Sequence, residues 1–317
     1  MNWLDKAILW QLFGNARIST QDLARKFNLS FNAIKNRVKK LEEIGAIQEY
    51  TVELSMAMLG LETIEVHITT DGSENMKSLI DQIGSHQSVR MAYRGGNKKY
   101  CAVAVVAGTK DFFALKGFLE SLDAVIDVRI HPTVGIAPDA PPNSKARSHG
   151  RKVVFTQNQL QVLRCLTGNV RMPVGKISKR TKLTPRRVSK ILHELHDGGG
   201  VHLTIRINMF AFGDVALELS IRFDEEKTTV SEIVSWFREH YPQEFWNAVQ
   251  YLDEPRIGIS LIIDDLKKVG EITSIAREAS FVEEVDDYII APQTYVKLHY
   301  RDPSQHRLEE MFKEAGL

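Results

Sequence analysis

The feature that most limits what this chain can fold into is an internal repeat. Residues 28–47, NLSFNAIKNRVKKLEEIGAI, align without a gap with residues 182–201, KLTPRRVSKILHELHDGGGV, 154 positions later in a chain of 317. One supersecondary frame must therefore serve twice, and a chain of this length is expected to hold several domains, each with its own core. Both stretches carry helix signals at their two ends. Ser30 and Thr184 supply N-cap oxygens, Pro185 suits the first helical position, and Gly45 and Gly199 suit a left-handed stop. Ile34, Val38 and Leu41 share one face, as do Val188, Leu192 and Leu195, so these faces are predicted to pack inward. The opposite faces carry Asn32, Lys35, Asn36 and Lys39 in the first copy and Arg186, Ser189, Lys190 and His193 in the second. Such side chains reach base edges and phosphates. Both stretches are read as recognition helices, with DNA contacts expected from these residues, from Arg187 and from the caps Ser30 and Thr184.

Charge placement supports that reading. The net charge is only +1, but residues 25–40 hold six Lys or Arg and no acid, and residues 176–190 hold seven and no acid. Acids collect instead at residues 224–226, 264–265 and 283–287. One such run is most simply a solvated helix face; two, at matching positions of matching frames, are the footprint of a nucleic acid.

Around these helices the pattern is that of a helix-turn-helix. Leu4, Ile8, Leu9 and Leu12 form a first stripe, and a second helix starts at Ser19, where Asp22 gives capping-box spacing. A short turn then enters the third helix. Residues 47–54 are expected to form a wing or a hinge strand. From residue 61 the period changes to two: Ile64, Val66 and Ile68 alternate with Glu65, His67 and Thr69. Helix, strand, turn, strand, helix and strand follow, giving βαββαβ, a ferredoxin-like module with both helices on one face of an antiparallel sheet. The face away from the helices is expected to be apolar and to pair with its counterpart. Residues 135–152 contain three prolines and no periodic apolar positions, and read as a linker that can span up to roughly 50 Å. The whole pattern then restarts. The fold class is α+β, with two winged-helix-like helix-turn-helix domains at residues 1–50 and 153–203, two ferredoxin-like βαββαβ domains at 55–134 and 210–299, and a tail at 300–317 containing one helix.

Several classes are set aside. No apolar run is long enough to cross a bilayer, and the first ten residues read as an amphipathic helix and not as a signal peptide, so a soluble, cytoplasmic protein with no membrane partner is expected. Cys101 and Cys165 lie in apolar stretches and read as small core hydrophobes. His193 and His196 lack the further ligands of a tetrahedral site, so no metal is expected. No nucleotide fingerprint or catalytic triad is present, and no cofactor is expected.

Leu4-Asp5, Ile8-Leu9, Asn15 to Ser19, Leu23-Ala24, Leu29-Ser30, Arg37 to Lys39, Leu41-Glu42 and Gly45 to Ile47, followed by βαββαβ, resemble the leucine-responsive regulatory protein (Lrp/AsnC) family. The second half keeps the frame but loses the Leu-Asp opening and the Arg-Val-Lys of the third helix. The resemblance implies a transcription regulator that binds double-stranded DNA and pairs through its sheets, often in response to an amino acid or related metabolite. With both copies in one chain, an intramolecular pseudo-dimer, a homodimer, or both are expected. The family's effector loop commonly carries a Gly-Asp pair. Here Tyr93, Gly95, Gly96 and Asn97 keep the glycines without the acid, while Tyr251, Asp253 and Arg256 flank a loop with acids and no glycine. These seven are the candidate ligand-binding residues, and two ligand-free hairpin turns are the alternative. The sirohaem decarboxylases share the same plan and provide an enzymatic alternative. Residues 91–94 and 247–251 lack that family's histidine and third-strand tryptophan, so no enzyme is expected. A non-specific architectural DNA-binding protein is a third reading.

Overall fold

The computed structural model describes residues 2–96, 98–136, 150–212, 215–290 and 303–317. The chain forms two compact units, and each draws on both halves of the sequence. One comprises Asn2–Gly60, Pro138–Ala211 and Arg301–Leu317, the other Leu61–Ala137 and Phe212–Tyr300.

The first unit contains both helical repeats. Helices α1 (Trp3–Gly14), α2 (Thr20–Phe27) and α3 (Phe31–Glu43) are followed by strand β1 (Ile47–Leu54) and a helical turn, α4 (Met56–Leu59). Their counterparts are α7 (Gln157–Gly168), α8 (Val174–Thr181), α9 (Pro185–Asp197) and β6 (Val201–Ile207). Each trio buries its own apolar stripe: Ile8, Leu9, Leu12, Leu23, Ile34 and Leu41 in one, and Val162, Leu163, Leu166, Ile177, Val188 and Ile191 in the other. β1, the expected wing or hinge strand, pairs antiparallel with β6, setting Thr51 opposite Thr204 and Val52 opposite Leu203. Two arginines at equivalent repeat positions clasp the pair. Arg17 donates to the carbonyls of Val170 and Met172, the latter at 3.0 Å, and Arg171 donates to Ile18 O at 3.1 Å. The tail contributes α12 (Pro303–Glu314), which buries Leu308 and Phe312 and whose Ser304 Oγ accepts a hydrogen bond from Leu54 N at 2.9 Å.

The second unit is one antiparallel sheet of eight strands. Its first half supplies β2 (Glu62–Thr70), β3 (Val89–Arg94), β4 (Lys99–Val106) and β5 (Val125–Ile136), with helices α5 (Met76–Ile83) and α6 (Thr109–Glu120). Its second half supplies β7 (Val215–Phe223), β8 (Phe245–Tyr251), β9 (Arg256–Ile263) and β10 (Val282–Ile290), with α10 (Val230–His240) and α11 (Lys267–Glu278). The order is β10-β7-β9-β8-β5-β2-β4-β3. The period-two alternation sends Ile64, Val66 and Ile68 to the helix side, where they pack on Leu79, Ile80, Ile83, Leu115 and Leu119. Leu217, Leu219 and Ile221 pack on Ile233, Phe237, Val269 and Ile272 in the same way.

Three sequence expectations need correction here. The strand expected at residues 125–130, in a domain expected to end at 134, is longer as β5. It runs to Ile136, and residues 133–136 pair with residues 248–251 of β8, so the start of the expected linker is the strand that joins the two modules. Residues 137–149 of that linker lie outside the described residues. The sheet face away from the helices is polar and aromatic, not apolar. It presents Glu65, His67, Cys101, Glu218, Ser220 and Tyr288 to a buried interior. The inward face of α9 carries Val188, Ile191 and Leu195, while Leu192 is only half-buried. The reason lies in the equivalent position of α3, where Arg37 reaches Asp5 at 2.8 Å. In the second copy Gln159 stands where the first has Asp5, and Ile191 fills the space where the first has Arg37.

Candidate functional site

Helix α3 starts where Ser30 Oγ accepts the Ala33 amide at 3.1 Å, and α9 where Thr184 Oγ1 accepts the Arg187 amide at 3.2 Å. These caps satisfy amides that would otherwise have no partner in the first turn. Gly45 and Gly199 both stand at φ +72°, the left-handed geometry that ends each helix region. With one face of each helix held by its core, the opposite face is set by helical geometry alone. Asn32, Lys35, Asn36 and Lys39 are all exposed on α3, as are Arg186, Lys190 and His193 on α9. Ser189 and Arg187 are half-buried. Arg187 pairs with Glu194 at 3.3 Å, so part of its charge is already committed within the helix. Lys39 also has an intrahelical partner, Glu43 at 3.4 Å, but both side chains are well exposed and such pairs are weak. What emerges is two helix faces rich in cations, the first with two amides and the second with a hydroxyl and an imidazole, each supported by its own core.

The loop residues expected to bind a ligand divide. Gly95 and Gly96 close the β3–β4 hairpin, with Gly95 N donating to Lys99 O at 2.8 Å. A Cβ at Gly95 would overlap the Tyr288 ring, so close packing accounts for that glycine. Asn97 lies outside the described residues. Tyr93, Tyr251 and Arg256 are buried, not displayed on turns, and Asp253 accepts from His131 Nδ1 at 2.9 Å. Tyr251 donates its hydroxyl proton to Glu65 across the sheet interior and lies 2.9 Å from His67 Nε2. Arg256 is held by Glu254 at 2.8 Å and Glu284 at 3.0 Å. Tyr93, Tyr251 and Tyr288 are each at most 2% exposed, so side chains fill much of the interior.

Sequence reasoning missed the centre of this interior. Cys101 does not sit in apolar surroundings: its Sγ lies 3.5 Å from Glu65 Oε1, and burial together with that carboxylate pushes the thiol well above its ordinary value. Burial alone would raise Glu65, but hydrogen bonds and charge from His67, with the Tyr251 hydroxyl, hold its carboxyl below the usual range. Glu218 accepts from Ser260 Oγ at 2.7 Å and is pushed up to about 8 by burial and then by the Glu65 charge. The alternating pattern did place Glu65 and His67 on the face away from the helices; nothing in it indicated what that face meets.

Comparison with known proteins matches residues 1–48 to the winged helix-turn-helix DNA-binding family. An HTH-type transcriptional regulator of Pyrococcus furiosus is 44% identical over 59 residues, which is 19% of this chain and 40% of that protein. The HTH-type transcriptional regulator LrpC of Bacillus subtilis is 30% identical over 130 residues, covering 40% of this chain and 80% of LrpC. The chain belongs to the Lrp/AsnC family of transcriptional regulators. A relative matched over most of its own length accounts for less than half of this Lrp/AsnC chain. A solved structure with the same whole-chain layout is that of the siroheme decarboxylase NirDL, with TM-score 0.58 and coverage of 100% of both chains. At 12% identity that likeness is one of fold. Among the described residues, no helix is long and apolar enough to cross a membrane.

Proposed function

We propose that this Lrp/AsnC regulator reads duplex DNA with two unlike heads carried on one polypeptide, α3 contributing Asn32, Lys35, Asn36 and Lys39, and α9 contributing Arg186, Ser189, Lys190 and His193. Ser30, Thr184 and Arg187 would contact the backbone at the helix starts. The supporting observation is that both helices present exposed, cation-rich faces on equivalent frames, and that β1–β6 pairing joins those frames in one compact unit. Phosphate contacts by Lys and Arg release counterions, so affinity should fall steeply with salt. The test is fluorescence anisotropy with a selected operator. Replacing Lys35 and Lys39, or Arg186 and Lys190, by alanine should weaken binding at least about tenfold per pair and flatten the salt dependence. Unchanged affinity in both double variants rejects the reading. Binding that random DNA competes away equally well would favour an architectural role.

Action in the cytoplasm without catalytic turnover follows from the same reading. An effector, if the chain answers to one as the family resemblance implies, is assigned to the sheet unit. There Tyr93, Tyr251, Asp253 and Arg256 are gathered around the interior, and Gly95 and Gly96 lie at its rim. Because tyrosines already occupy much of that space, a ligand the size of an amino acid would have to displace them. Assembly as an intramolecular pseudo-dimer is preferred, because β5–β8 and β1–β6 pairing already joins the halves.

A further inference from the structure

Two residues apart on β2, Glu65 and His67 project from the same face. Sheet register supplies their neighbours: Cys101 of β4 stands opposite His67, and His131 of β5 stands opposite Glu65. His67 Nε2 is 2.9 Å from Glu65 Oε1 and Cys101 Sγ is 3.5 Å from the same oxygen. One donor atom from each of the three lies within 4.8 Å of the others, and the Tyr251 hydroxyl bonds to the same glutamate. A tetrahedral ion with bonds of about 2.0–2.3 Å sets its ligand atoms about 3.3–3.8 Å apart. The Cys101–Glu65 spacing already fits, and the His67–Glu65 contact has to open by only a few tenths of an ångström.

The second copy acts as an internal control. Glu218 takes the place of Glu65 on β7, with Ser220 two residues on, Gly258 opposite Ser220, and Tyr288 opposite Glu218. The glutamate is kept, but serine, glycine and tyrosine replace His67, Cys101 and His131. The second copy builds the same sheet without imidazole or thiol, so packing does not demand them in the first. The buried Glu65 carboxylate is surrounded by an imidazole, a thiol and a phenol, groups that can all serve as metal ligands. A divalent ion would neutralise the Glu65 carboxylate and the Cys101 thiolate, leaving His67 as a neutral ligand.

We propose that Glu65, His67 and Cys101 form a binding site for a divalent transition ion of zinc type, with the Tyr251 oxygen beside the fourth position. A mixed nitrogen, sulfur and oxygen set favours zinc or cobalt over magnesium or calcium. Binding converts the Cys101 thiol to a metal-bound thiolate and releases its proton to solvent. The site does not depend on the DNA-binding reading, because its test measures metal uptake and not operator affinity.

The experiment uses the full chain, stripped with a chelator and titrated with Co2+. One equivalent should bind, with intense tetrahedral ligand-field bands and a thiolate-to-cobalt charge-transfer band, and Zn2+ should displace it. Cys165→Ser should keep the charge-transfer band, Cys101→Ser should abolish it, and His67→Gln should weaken binding by about tenfold or more. Circular dichroism verifies that each variant is folded. If Cys101→Ser does not fold, X-ray absorption on the zinc-loaded wild type decides: one sulfur with nitrogen and oxygen neighbours supports the site, and an oxygen-only shell overturns it. A wild type without the band, a band retained in folded Cys101→Ser, or one lost in folded Cys165→Ser overturns it equally.

Discussion

Glu218 is the residue whose environment makes the sharpest demand on pH. Burial first, and the Glu65 charge second, push its carboxyl up to about 8, whereas an unfolded glutamate titrates near about 4.3. Between those values the folded chain holds a proton that the unfolded chain has released. Stability therefore falls as pH rises through that window, and the loss is complete above the folded value. Glu218→Gln keeps an acceptor for Ser260 and removes the titration. In chelator-treated protein the wild-type melting temperature should drop on the order of 5 °C between pH 6 and 8.5, and Glu218→Gln should lack that drop. A slope that persists in the variant would assign the pH dependence to other groups.

Helices α3 and α9 solve one packing problem in two ways. In α3 the inward position is taken by Arg37, whose guanidinium reaches Asp5, buried to 6% exposure on α1. In α9 that position is Ile191, fully buried, and Gln159 of α7 donates instead to Glu194 at 3.0 Å. Arg37→Ile alone would leave Asp5 buried without its partner and should cost about 2–4 kcal/mol. Importing the second copy's whole solution, Arg37→Ile with Asp5→Gln, should recover most of that loss. A double-mutant cycle by urea unfolding measures the coupling. Strict additivity would mean that the two helices are not linked through this pair.

For the whole molecule, the consequence of duplication is asymmetry. Two-fold operators mirror two identical reading heads, whereas the two heads proposed above share a frame and differ in every outward side chain. Asn32 and Asn36 have the bidentate geometry that suits adenine, while Arg186 suits guanine and Lys190 suits guanine or phosphate. Selection from a random DNA pool should therefore return unlike half-sites, one richer in A·T and the other in G·C. Exchanging Asn32 and Asn36 for Arg and Lys should shift only one half of the motif. A short perfect palindrome bound with both heads engaged would show that base identity is read elsewhere, through DNA shape.

Local physics made much of this legible in the chain itself. The caps at Ser30 and Thr184, the stops at Gly45 and Gly199, and the two periodicities each depend on residues a few positions apart, so helices, strands and most of both cores could be read in order. The duplication was legible for the same reason, as was the exposure of Asn32, Lys35, Asn36 and Lys39. Side chains that meet across long separations were not. Alternation shows that Glu65 and His67 turn away from the helices, but Cys101, His131 and Tyr251 reach them only through strand register and β5–β8 pairing. Ile191 faces inward in place of Leu192 because its counterpart Arg37 answers a carboxylate on another helix. Period and capping act within a few residues along the chain, whereas the pairing of distant strand edges is decided by which surfaces can be buried together. The sequence determined the elements and their outward faces; only the tertiary structure decided what the interior of the sheet unit contains.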